Sequence, residues 1–247
     1  QAQEMLSEAR ALVREAPGDP SAALALGEAA LALYEPETAV EALDQVVRAD
    51  SEHAEGHYLL GRAKRMAGDA EGAEAALRRA LELTLARGES PAPSVLALYA
   101  DALLAVGQAE PASEAYAAAL EADAGLPEAL VGQAELAVRS EREDDALELL
   151  GRAQRVLEQR IRPPAMHARI HTLAGRAHLL RGRSGEEDAR TALRRAIESE
   201  AAPPEAHFFL GEALAGENSP DARASYERYL ELAPEGAFAA RARRAIR

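Results

Sequence analysis

Residues 57–80, HYLLGRAKRMAGDAEGAEAALRRA, decide the fold. Tyr58 and Gly61, then Ala73, Leu77 and Ala80, fall at spacings of three and four, which put each group on one face of a helix. Between them Gly68-Asp69 breaks the periodicity, as a turn does. Small residues let two antiparallel helices approach closely, and the large residue one turn away fills the gap beside them.

The stretch is not unique. Gly27 and Gly61 lie 34 residues apart, each after a Leu, and Ala39 and Ala73 repeat the interval with Leu43 and Leu77 four residues on. Ala112 and Ala146 repeat it again, followed by Tyr116 and Leu150, and Ala189-Leu193 and Ala222-Tyr226 close the series. One motif recurs six times. A lone helix pair cannot bury such a face, so neighbouring pairs must stack.

Composition agrees. Hydrophobic residues make up 48% of the 247, dominated by Ala and Leu, while aromatics are only 4%. Ala, Leu, Arg and Glu are the strongest helix formers, and the β-branched residues that a sheet would use are scarce. With no Cys, disulfides, thiolate metal sites and cysteine nucleophiles are excluded. No apolar run reaches the roughly 18–20 residues of a membrane span. The chain opens with Gln1 and passes straight into helical sequence, so a processed or trimmed product is expected, in cytoplasm or periplasm.

Charge is unevenly spread. Residues 1–150 carry 29 acids and 11 bases, whereas residues 151–247 carry 13 acids and 17 bases, for a net charge of −14. The acidic body argues against nucleic acid as a partner. The dense basic stretch Arg241, Arg243, Arg244 and Arg247 reads as a solvated C-terminal helix favoured by its dipole.

The pattern resembles the tetratricopeptide repeat, whose first helix carries L-G-x₂-Y and whose second carries A-x₃-F. First helices here read His57-Tyr58-Leu59-Leu60-Gly61 and His207-Phe208-Phe209-Leu210-Gly211, with Leu173-Ala174-Gly175 a weaker echo; second helices read Ala73-x₃-Leu77, Ala112-x₃-Tyr116, Ala146-x₃-Leu150 and Ala189-x₃-Leu193. The resemblance implies an all-α, right-handed superhelical solenoid of antiparallel helix pairs over 1–247. Repeats are expected at about 20–53, 54–92, 93–126, 127–167, 168–203 and 204–236, with 1–16 the second helix of a partial repeat and 237–247 a capping helix.

Departures are informative. The family's Trp is replaced by Ala23, His57, Leu96, Leu130, His171 and His207, and the fourth repeat carries Glu141 where others have a turn Gly. Ala73 to Ala112 spans 39 residues and Ala146 to Ala189 spans 43. Overlong second helices are therefore expected around Thr84–Pro93 and Arg155–Pro164, projecting roughly 8–10 Å at 1.5 Å per residue.

No nucleotide-binding loop, nucleophile elbow, zinc-protease or EF-hand motif is present, so no catalytic residue and no cofactor is expected. His167, His171 and His178 share a face if their helix is continuous, but His57, His171 and His207 occupy a packing position, so half-buried structural histidines are expected and no metal site. Glu141-Arg142-Glu143-Asp144-Asp145 reads as a turn running into an acidic helix start.

The resemblance further implies that first helices line a concave groove. By position it would present Leu24, Glu28 and Leu31, then Tyr58, Arg62 and Arg65, then Ala97, Asp101 and Leu104. Later repeats would add Val131, Glu135 and Val138, then Thr172, Arg176 and Leu179, then Phe208 and Glu212. Charges flanked by apolar residues suit an amphipathic helix or an extended peptide. The expected partner is thus another protein, with no nucleic acid and at most indirect membrane contact. Lys64 stands alone against 27 Arg, a bias that points to a GC-rich bacterial genome. Family members of six repeats include pilotin-like envelope-assembly proteins, and a non-catalytic adaptor of that kind is the leading expectation. A regulatory or targeting domain cut from a larger enzyme is the alternative.

Overall fold

A computed structural model describes residues 2–158, 164–217 and 220–247. The described residues form α-helices joined by short turns, and the chain divides into two compact units, 1–124 and 125–247.

The first unit holds α1 (Ala2–Glu15), α2 (Pro20–Ala32), α3 (Pro36–Ala49), α4 (Ala54–Met66), α5 (Ala70–Ala86), α6 (Pro93–Ala105) and α7 (Ala109–Ala122). Helices α2 and α3, α4 and α5, and α6 and α7 pack as pairs, and each pair stacks on the next through α3 on α4 and α5 on α6. The second unit holds α8 (Pro127–Arg139), α9 (Glu143–Glu158), α10 (Pro164–Leu180), α11 (Glu186–Ile197), α12 (Pro204–Leu214), α13 (Pro220–Leu232) and α14 (Ala239–Ala245). It pairs α8 with α9, α10 with α11 and α12 with α13, while α14 closes on α13. The expected all-α stack of helix pairs is what both units contain. Among the described residues no helix is long and apolar enough to cross a membrane.

Local chemistry starts these helices. Pro stands in the first turn of α2, α3, α6, α8 and α12, where its missing N–H costs nothing. Asp19 accepts from the Ser21 amide at 3.0 Å, and Asp69 accepts from the Gly72 amide at 2.9 Å. His53 does the same work with a ring nitrogen: its Nδ1 accepts from the Gly56 amide at 2.9 Å.

Each pair is closed by the contact the opening stretch encodes. A Cβ added at Gly61 would stand 2.5 Å from Leu77 Cγ; the corresponding distances are 2.5 Å from Gly27 to Leu43, 2.4 Å from Gly175 to Leu193 and 2.7 Å from Gly211 to the Tyr226 ring. In the other two pairs Ala100 and Ala134 take the small position, and all of Leu43, Leu77, Tyr116 and Leu193 are fully buried. Burying one such Leu stabilises by about 1.5–3 kcal/mol.

The turns are less uniform. Gly68 and Gly107 adopt φ of +82°, but Tyr34 and Glu141 occupy the same left-handed region at +59° and +56°. In all four turns the residue that follows returns its amide to the carbonyl five residues back, as in Glu35 to Ala30 and Arg142 to Ala137. Side chains there carry the steric cost that a Gly avoids.

The second helices expected to be overlong, α5 and α9, are the longest of their kind among the described residues, by less than the spacing allows. Helix α5 has 17 residues against 14 in α3 and α7, and the chain then turns at Gly88 with φ of +72°, so only part of the added length is helical. Arg87 ties the extension down, donating to the Glu52 carbonyl at 2.7 Å. In the second unit both helices beside residues 159–163 are long: the second helix α9 has 16 residues against 14 in α7, and the first helix α10 has 17 where α8 has 13. The remainder of the Arg155–Pro164 expectation falls on 159–163, outside the described residues.

Candidate functional site

The charged series along the first helices is held in several ways. Glu28 is exposed on α2, whereas Arg62 lies over the Tyr58 ring, 5.7 Å from its centroid. Asp101 accepts a hydrogen bond from the Tyr116 hydroxyl at 2.5 Å. Glu212 accepts from the Tyr226 hydroxyl at 2.9 Å through one oxygen and from Arg241 at 2.7 Å through the other. Burial, then the Glu212 carboxylate, pushes the Tyr226 hydroxyl well above its ordinary value, so it stays a donor. Tyrosine closes a pair only where an acid follows the small residue of the first helix. That co-occurrence is the signal in the sequence that marks the link, and spacing alone passes over it.

Glu135 takes Arg139 at 2.7 Å and Arg169 at 2.8 Å, one guanidinium per oxygen. Burial raises its carboxyl, but the two arginines outweigh that and hold it below its ordinary value. Arg176 stacks over Phe209 with its guanidinium carbon 4.8 Å from the ring centroid.

Of the other expected groove positions, Leu24, Tyr58 and Leu179 are half-buried and Arg65 is exposed. Five positions are buried. Val131 and Phe208 are fully enclosed, and Leu31, Leu104 and Thr172 nearly so, as are Ala97 and Val138 beside them. Of these seven only Thr172 reaches a pocket wall, so the accessible surface of the first helices is otherwise made by the charged and half-buried positions.

Three expected positions from two successive repeats converge. Glu135, Thr172 and Arg176 line a pocket of about 470 Å³ in the second unit, with Arg139, Arg169, Leu173, Pro203, Glu205, Ala237 and Phe238. Phe238 stacks on Phe208, centroids 4.5 Å apart and planes 12° from parallel, which fixes that wall. Arg139, Arg169, Glu205 and Phe238 were not anticipated; the acid-to-base spacing of four from Glu135 to Arg139 was a signal for the first.

The histidines play structural parts. His57 Nε2 lies 3.1 Å from the Ser51 carbonyl oxygen. His171, His178 and His207 are half-buried, and burial pushes all three imidazoles down. Among the described residues no group of three or more His, Cys, Asp or Glu could hold a metal ion. The terminal arginines are engaged locally: Arg241 with Glu212, Arg243 with the Pro234 carbonyl at 2.6 Å and Glu235 at 3.0 Å, and Arg244 with the Ala240 carbonyl at 3.2 Å.

Comparison with known proteins agrees with this geometry. The family model described as tetratricopeptide repeat matches residues 24–89 and 186–237. No curated protein sequence matches the chain. Among solved structures, a chain of the APC/C hetero-tetramer Cut9-Hcn1 is similar over the whole chain, with a TM-score of 0.83 and 14% identity. This chain spans 46% of that one. A thermophilic TPR protein of Thermus thermophilus is similar with a TM-score of 0.62 and 22% identity, over 78% of this chain and 98% of its own. PilF of Pseudomonas aeruginosa is similar with a TM-score of 0.61 and 16% identity, over 91% of this chain and 96% of its own. At such identities the likeness is one of fold. With the repeat model matched in both units and a large residue closing on each of Gly27, Gly61, Gly175 and Gly211, both units have the fold of tetratricopeptide repeats.

Proposed function

We propose that the chain is a non-catalytic protein–protein interaction scaffold that holds a peptide or an amphipathic helix of its partner against the first helices of the repeats. The observation that supports this reading is the convergence of Glu135, Thr172 and Arg176 on one pocket with apolar walls. Such a surface offers both anchors and directional charges, which peptide recognition uses. The narrower reading is an adaptor in the assembly of a bacterial envelope complex. It rests on the pilotin-like resemblance and on the fold likeness to PilF.

The test is capture of the partner from the source organism, identified by mass spectrometry, with wild type and with Arg62→Glu and Arg176→Glu. Both reversals are expected to lose the partner while circular dichroism stays helical. Recovery of the same partner by both folded variants would exclude the first-helix surface.

A further inference from the structure

We propose that the pocket of the second unit is a receptor for one carboxylate side chain, an Asp or Glu set beside an apolar residue on the partner's peptide. This rests on the peptide-binding reading above and specifies what that peptide must carry.

Three guanidiniums, Arg139, Arg169 and Arg176, and two carboxylates, Glu135 and Glu205, line the pocket. Glu135 engages Arg139 and Arg169, one on each oxygen. Arg176 differs: among the described residues it closes no ion pair within 4 Å, and its neighbour is the face of Phe209. A guanidinium stacked on a ring keeps its N–H edge available, and that edge matches a carboxylate in a two-point fork. Stacking also fixes the plane, so little freedom remains to be lost on binding.

Burial sharpens the demand. Arg176 is half-buried, and desolvation works against its charge. Glu135 and Glu205 offset only part of that cost from a distance, and a carboxylate in direct contact would offset more. The unmatched charge of the lining is a single positive one, which suits a monoanion. A phosphate dianion would bring a second negative charge into a pocket already holding Glu135 and Glu205. Leu173, Pro203, Ala237 and Phe238 make the remaining wall apolar, so the residue next to the acid should be aliphatic or aromatic.

The experiment is a selection of displayed random 12-residue peptides on the intact chain, run in parallel on wild type, Arg176→Gln, Arg176→Lys and the exposed control Arg48→Gln. Wild type and the control should enrich peptides with Asp or Glu beside an apolar residue. Arg176→Gln should lower that acidic enrichment at least fivefold, and Arg176→Lys, which keeps the charge and loses the fork, should fall between. The most enriched peptide, read by fluorescence anisotropy, should bind Arg176→Gln about tenfold more weakly, and its own Glu→Gln form should be equally weak on wild type.

If peptides are enriched without an acidic preference, or the preference survives in both Arg176 variants, peptide binding stands and the carboxylate receptor falls. If nothing is enriched on wild type, the peptide-binding reading falls and this one with it. Phosphoserine in place of the acid, binding tenfold tighter than Glu, would make the pocket a phosphate site and overturn the assignment.

Discussion

Two kinds of helix pair recur in this molecule, and they close by different chemistry. In the pair α4–α5 a leucine presses against a glycine, Leu77 on Gly61, and the contact is wholly apolar. In the pair α12–α13 Tyr226 occupies the leucine's place, and its ring covers Gly211 while its hydroxyl reaches Glu212. Helices α6 and α7 repeat the second arrangement with Tyr116 and Asp101. Each unit therefore contains pairs closed by leucine and one closed by tyrosine. A charge on a first helix thus plays one of two parts. Beside a leucine it is left to solvent, as at Glu28, or to side chains of the first helices, as at Glu135; beside a tyrosine it completes the core.

The comparison breaks most readily at the glycine. Gly61→Val places atoms where Leu77 already sits, and a loss of about 3 kcal/mol is expected from urea unfolding. An unchanged urea midpoint would show that the close approach does not govern stability. Next in size is the tyrosine. Tyr226→Phe leaves Glu212 without its phenolic donor and should cost about 1.5 kcal/mol, and Tyr116→Phe a similar amount. Glu28→Gln, beside a leucine, should cost nothing measurable; an equal loss there would erase the distinction between the two closures.

His171, His178 and His207 have folded pKa values below the unfolded value of about 6.5, so the unfolded state takes up protons first. Their contribution is present above pH 6.5 and is lost as pH falls from there through the folded values. Thermal unfolding should show a fall in Tm between about pH 7.5 and 5, and the triple His→Gln variant should flatten it. His171 lies in a leucine-closed pair and His207 in a tyrosine-closed one, so acid sensitivity should follow the histidines and ignore the closing residue. The smallest expected effect is a gain. Glu141→Gly and Tyr34→Gly relieve a left-handed φ and should each add about 0.5–1 kcal/mol, whatever closes the pair.

The repeat and the helix pairs were legible because they depend on spacing. Glycine against leucine at fixed intervals, with proline at helix starts, leaves few other ways to bury the apolar faces. Helix length was less legible: the excess between Ala146 and Ala189 reads as a longer second helix, and α9 is longer, but the following first helix α10 is longer too. The candidate site was legible only by position. Spacing places Arg176 and Glu135 on like faces, but it cannot say that Arg169 would cross to Glu135 or that Phe238 would fold back over Phe208. Those contacts join residues far apart in the chain, and burial decided them. It also withdrew Val131 and Phe208 from the groove that the family resemblance implies for them.

The tyrosine closure sets an order in which such a protein can change. A buried phenol needs an acceptor, and Tyr116 is wholly enclosed, so a leucine replaced by tyrosine before an acid is in place would strand its hydroxyl. An acid arriving first on the half-open face of the preceding helix is tolerated by water. Descent from leucine to tyrosine should therefore pass through the carboxylate. Among relatives of this chain, a lone acid beside a leucine, as at Glu28, is the expected ancestral intermediate, and a tyrosine without its acid is the form that selection should remove.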